Sequence, residues 1–164
     1  KHFLNKLDTN EYLIGFENGI YDLKHSVFRD GRPDDYVSMT TGINLIEFDE
    51  DHKHWPGLQN FINTVFPEEH LRKYFLTYLS TCLQGFNNEE KFRIWIGTGA
   101  NGKSKIEELF NKSFGEYCMK FPITLLTGKR AASNACSPEV IRSKGKRFCY
   151  FEEPNSNERI NTGR

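Results

Sequence analysis

Paired cysteines are the first thing this sequence lacks. Cys82, Cys118, Cys136 and Cys149 are scattered with no CxxC among them, which argues against a zinc site or a disulfide framework and fits a reducing, intracellular compartment. Net charge is missing as well: Lys and Arg number 22 and Asp and Glu number 22. No overall basic field draws in nucleic acid, so any DNA contact has to be local. No apolar stretch reaches the length that spans a bilayer, and the opening Lys1-His2-Phe3-Leu4 has neither an initiator Met nor the build of a signal peptide. The chain is therefore expected to be an excised piece of a larger protein with no membrane partner. His52 and His54 are neighbours without a Cys or acidic cluster to complete a ligand set, and they read as a hydrated turn.

What is present suffices for one core, with room for a small satellite domain: 164 residues, 37% hydrophobic and 14% aromatic. From Tyr12 to about Phe48, short apolar runs alternate with turn signals such as Glu17-Asn18-Gly19 and Asp30-Gly31-Arg32-Pro33, predicting a small β-rich segment. From Trp55 to Phe66 the period changes. Leu58, Phe61, Ile62 and Val65 share one helical face, closed by Pro67. A second helix, starting near Glu68 or Glu69, carries the stripe Leu71, Tyr74, Phe75, Tyr78, Leu79, Cys82 and Leu83, with Gly85 just past its end; at helical spacing this stripe reads as core. After a polar break, Phe92-Arg93-Ile94-Trp95-Ile96 has the look of a buried parallel strand. The expected organisation is a β-rich segment over 1–50, a helical hairpin over 51–88 and an α/β unit over 89–164.

Directly after that run comes Gly97-Thr98-Gly99-Ala100-Asn101-Gly102-Lys103-Ser104, which satisfies GxxxxGK[ST] at every fixed position. Glycines let the backbone curl so that successive amides point at phosphate oxygens, and the following helix aims its positive end at the same anion. Lys103 is expected to reach the outer phosphates of ATP, and Ser104 to offer its hydroxyl to Mg²⁺. The helix is expected over 103–111, with Ile106, Leu109 and Phe110 facing inward.

A phosphate loop needs an acid at the end of a partner strand, to hold the water shell of the metal and to orient the attacking water. Phe148-Cys149-Tyr150-Phe151 running into Glu152-Glu153-Pro154 is the candidate. Glu152 is assigned to the metal-bound water and Glu153 to the nucleophilic water, with the order open, because neighbouring side chains on a strand point to opposite faces. The most basic stretch, from Lys129 to Arg147, is either a solvated loop or a phosphate-contacting run.

With these residues in view the sequence resembles the superfamily 3 helicases, and more narrowly the primase–helicases of poxviruses, giant viruses and other large nucleocytoplasmic DNA viruses. The resemblance rests on Gly97 to Ser104, on Gly145-Lys146-Arg147-Phe148 leading to Glu152-Glu153-Pro154, and on Leu125-Leu126-Thr127-Gly128-Lys129-Arg130, Ala132-Ser133-Asn134 and Ser137-Pro138-Glu139 between them. Upstream, the run from Leu13 to Leu23 and Phe28-Arg29-Asp30-Gly31-Arg32-Pro33 are similar to the segment preceding the ATPase in that family. It implies a P-loop NTPase (AAA+-like) parallel sheet, incomplete here, behind a small β-rich and helical N-terminal region. It also implies an ATP- and Mg²⁺-dependent DNA helicase, usually a homo-hexamer, drawing single-stranded DNA through a ring and working in the host cytoplasm or at a viral replication site. The DNA-contacting loop, sensor strand and arginine finger of such enzymes would lie beyond Arg164, so the piece alone is expected to bind nucleotide weakly and hydrolyse it poorly. Two other readings remain at this level: another phosphate-loop DNA motor for packaging or loading, and a nonhydrolysing DNA-binding or ring-assembly module.

Overall fold

In the computed structural model the described residues are 2–87, 90–97, 99, 101–128, 137–155, 157 and 159–161. A short helix α1 (His2–Lys6) leads into an antiparallel meander, β1 (Leu13–Phe16), β2 (Gly19–Asp22) and β3 (Val27–Arg29). Leu13 pairs with Asp22 and Phe16 with Gly19, so Glu17 and Asn18 form a two-residue hairpin loop. Asp22 ends β2 by accepting the amides of Lys24 and His25 on Oδ1, at 3.0 and 3.2 Å, while Oδ2 meets His25 Nδ1 at 2.9 Å.

Strand structure stops at Arg29, short of the Phe48 expected from the sequence. Gly31, Pro33 and Gly42 break the run, and only a 3-10 turn, Pro33–Asp35, interrupts the irregular path. That path is still tied to the meander: the Thr41 amide donates to Gly15 O at 2.9 Å and the Glu17 amide to Ile43 O at 3.0 Å. Arg29 and Asp35 form a two-pronged ion pair at 2.7 and 2.8 Å, which holds the Asp35 carboxyl below its ordinary range.

The helical hairpin follows as α2 (Trp55–Val65) and α3 (Glu69–Cys82). Pro67 stops α2, the Arg72 guanidinium donates to Phe66 O at 2.9 Å, and the Phe66 and Phe75 rings meet at 4.2 Å to close the hairpin. The inward stripe of α3 is narrower than its apolar spacing predicts. Phe75 and Cys82 are buried and Tyr78 and Leu79 pack against the core, whereas Leu71 and Tyr74 are exposed. A helix resting on one neighbour covers only the central rows of its apolar face.

Next come α4 (Lys103–Phe114), β4 (Cys118–Phe121), the short α5 (Thr124–Thr127) and α6 (Pro138–Arg142), and β5 (Phe148–Phe151). β4 and β5 pair in parallel, Cys118 beside Phe148 through Phe121 beside Phe151. The chain between them, residues 122–147 with α5 and α6 among those described, supplies the long crossover that parallel neighbours require. One core cluster joins every region: Ile14 from the meander, Phe75 and Cys82 from the hairpin, and Ile106, Phe110, Phe114, Tyr117 and Phe148 from the α/β unit. Phe110 sits at its centre, 4.7 Å from the Phe148 ring and about 6 Å from those of Phe75, Trp95 and Phe114.

The fold is thus mixed α/β, with a three-stranded antiparallel sheet and a two-stranded parallel one. The buried parallel strand expected over 92–96 is not formed among the described residues. Trp95 reaches the core, 6.3 Å from the Phe148 ring, but Phe92, Ile94 and Ile96 are 78%, 65% and 89% exposed. A parallel strand is stabilised by ladder partners and by cover on both faces, and 92–96 has cover on one face only. No helix among the described residues is long and apolar enough to cross a membrane.

Candidate functional site

Of the glycine-rich loop, Gly97, Gly99, Asn101, Gly102, Lys103 and Ser104 are described, and Thr98 and Ala100 lie outside the described residues. Gly102 is the residue the turn depends on. It sits at φ +85°, in the left-handed region, and a Cβ there would come within 2.6 Å of Val65 Cγ2 on α2. The hairpin therefore buttresses the loop from behind, a support that no local sequence signal reveals.

Gly102 also opens α4. Its carbonyl accepts the amides of Lys105 and Ile106, both at 3.0 Å, and no side chain caps the helix. The Lys103 and Ser104 amides consequently have no intrahelical acceptor and carry the positive end of the helix dipole. Lys103 Nζ donates to Asn101 Oδ1 at 3.0 Å, so the Asn preceding Gly-Lys-Ser holds the lysine back over its own loop.

The parallel pair sets where the acids stand. Phe110 and Phe114 of α4 meet Phe148 near the start of β5, and Asn111 Nδ2 donates to the Tyr150 hydroxyl at 2.8 Å further along. α4 thus runs back along the strands, and its first residues lie toward the end at which β5 finishes in Glu152 and Glu153. Alternation puts 148 and 150 on the helix side; Glu152 and Glu153 follow the last strand residue, Phe151, so strand alternation no longer dictates their faces. Lys120, in register with Tyr150 on β4, forms an ion pair with Glu152, and that carboxylate holds the lysine ammonium above its usual range. Glu152, Glu153 and Ser104 are all exposed. Sequence reasoning missed Lys120: its partner lies on another strand, and only the register brings the two together.

Part of the basic stretch is described, and three of its cations there bond within the protein. Lys129 and Arg130 lie outside the described residues, but Lys144, Lys146 and Arg147 are spent on backbone carbonyls. Lys144 Nζ donates to Leu7 O at 3.2 Å and Lys146 Nζ to Glu116 O at 2.5 Å. Arg147 donates to Glu11 O at 2.5 Å and Leu13 O at 2.8 Å, the latter in β1. Among the described residues no group of three or more His, Cys, Asp and Glu is placed to hold a metal.

Comparison with known proteins adds ancestry to this geometry. Residues 1–67 match the family described as D5 N terminal like. A protein named "Putative helicase" in Acanthamoeba polyphaga mimivirus is 48% identical over 162 residues, covering 99% of this chain and 17% of that protein. A second "Putative helicase", from Invertebrate iridescent virus 6, is 36% identical over 97% of this chain and 17% of its own length. A "Putative primase" of African swine fever virus is 29% identical over the whole chain, again 17% of the longer protein. The chain therefore spans about one sixth of the length of the curated relatives it matches.

Proposed function

We propose, from the premise that this chain carries a D5 N terminal like domain and is homologous to proteins named helicase or primase in large DNA viruses, that it is the nucleotide-binding part of an ATP-driven DNA helicase. The relatives' names point to a role in viral DNA replication, and the residues specify the chemistry. One observation supports the reading: a glycine at φ +85° opens an uncapped helix directly at Gly-Lys-Ser, and that helix runs back along β5 from the direction in which the strand leads to two glutamates.

The residues fit ATP and Mg²⁺. Free amides at the start of α4, the Lys103 ammonium and the curled loop form an anion cradle, and a side chain at Gly102 would collide with Val65. The hydroxyl of Ser104 and the carboxylate of Glu152 are hard oxygen donors of the kind Mg²⁺ prefers, directly or through its waters. Bound nucleotide supplies the phosphoanhydride bond whose hydrolysis drives movement. Lys103, released from Asn101, would balance phosphate charge; Ser104 and Glu152 would hold the Mg²⁺, directly or through its waters; and the Glu153 carboxylate would accept a proton from the attacking water. In the intact protein we place this site at the interface between subunits of a homo-hexameric ring, with single-stranded DNA in the channel.

Substitutions in the intact protein test the reading. Lys103→Ala should abolish ATP binding and turnover, and Glu153→Gln should keep binding but lower turnover by about 10³ or more, the scale of losing a group that acts only in the transition state. Unchanged turnover in both variants would contradict it.

A further inference from the structure

β4 and β5 each begin one residue after a side chain locked into the N-terminal segment. Tyr117, 2% exposed, precedes Cys118; its hydroxyl accepts the Gly15 amide at 2.8 Å and donates to Met39 O at 3.0 Å. Gly115, at φ +51°, lets the chain press against the Thr41 backbone closely enough to exclude a Cβ. The Glu116 amide then donates to Thr40 O at 3.0 Å, and the Glu116 carboxylate accepts the Thr40 amide at 2.8 Å.

Arg147 does the same for β5. It precedes Phe148, grips the carbonyls of Glu11 and Leu13, and lies 5.7 Å over the Tyr117 ring. Its amide donates to Tyr117 O at 2.8 Å, so the two anchors are also joined to each other. The paired bonds to two separate carbonyls use the spread of a guanidinium, which an ammonium does not reproduce.

We propose that Tyr117 and Arg147 are positioning residues: the seating of residues 10–15 and 39–41 on them sets how far β5 carries Glu152 and Glu153 toward the start of α4. This rests on the reading of those glutamates as nucleotide-site residues. The strand between anchor and acid is four residues long, about 13 Å, and is paired along its length with β4. A shift at Arg147 therefore passes along β5 to the carboxylates instead of being absorbed by a loop. A misplacement of about 1 Å at a reacting group costs on the order of 10²-fold in rate.

The test measures steady-state ATP hydrolysis by the intact protein for Tyr117→Phe, Arg147→Lys and, as reference, Lys103→Ala. The two anchor variants should lower kcat by about tenfold or more with KM within about twofold, because the phosphate loop is untouched. Amide exchange should rise at 148–151 and stay unchanged over 104–112. An unchanged kcat, or a kcat that falls only in proportion to the folded fraction found by calorimetry, overturns the proposal. Should Arg147→Lys fail to fold, Tyr117→Phe, which keeps the ring and deletes only the hydroxyl, decides it alone. If Lys103→Ala hydrolyses ATP normally, it is the nucleotide-site reading that fails. If Lys103→Ala is dead and the anchor variants are normal, only the positioning proposal fails.

Discussion

At their beginnings, β4 and β5 are fastened by a buried tyrosine hydroxyl, a glycine pressed against a neighbouring backbone and an arginine sunk among carbonyls. At their far ends the same strands lead to exposed side chains: Lys120 paired with Glu152, then Glu153. The hydrogen bonds that tie the strands to the N-terminal segment are concentrated at one end and the groups that could meet a ligand at the other. Buried polar groups must be satisfied within the protein, whereas exposed ones can exchange water for a ligand. The sheet thus has a fixed end and a reactive end, separated by four strand residues.

The largest effect should come from the element that serves both ends. Phe110, 3% exposed, touches the rings of Phe75, Trp95, Phe114 and Phe148. Phe110→Ala should cost about 3–5 kcal/mol in urea unfolding and erase the contrast between the ends. Tyr117→Phe attacks the fixed end alone, leaving the Gly15 amide and Met39 carbonyl without their partner, and should cost about 1–3 kcal/mol by the same measurement. Gly102→Ala attacks the reactive end. The left-handed conformation costs an alanine roughly 1–2 kcal/mol, and the contact with Val65 adds to it. Fluorescent-nucleotide titration should show weaker binding, which Val65→Ala restores only in part because the backbone strain remains.

Smaller effects sharpen the comparison further. Asp35 has its folded pKa lowered by Arg29, so that pair contributes stability fully above the unfolded value near 3.8 and loses it as pH falls through the lower folded value. The stability deficit of Asp35→Asn should accordingly be larger at about pH 6 than at about pH 3 in thermal melts. Lys120→Met should leave the melting temperature unchanged, since its ion pair with Glu152 is exposed to water on both sides.

Local signals were the legible ones. β5 is legible to the residue from Phe148 to Phe151, and the starts of α2, α3 and α4 follow from apolar spacing, acids in a first turn and the Gly-Lys-Ser punctuation. What stayed hidden depends on partners far along the chain. The run at 92–96 has strand composition but finds no ladder among the described residues, because pairing is a property of neighbours and not of the run itself. Lys144, Lys146 and Arg147 look like a phosphate-contacting run until the carbonyls of Leu7, Glu11, Leu13 and Glu116 are seen to occupy them. Within the candidate site the Gly97–Ser104 motif and the two acids are visible in the sequence, whereas Val65 behind Gly102 and Lys120 beside Glu152 require the fold.

The most direct test of the nucleotide site is an amide NMR titration of the chain with Mg²⁺ and a nonhydrolysable ATP analogue. Shifts should concentrate at Gly97, Gly99, Gly102, Lys103 and Ser104, extend to Glu152 and Glu153, and vanish in Lys103→Ala. Shifts that cluster elsewhere, or that persist unchanged in Lys103→Ala, would contradict the account.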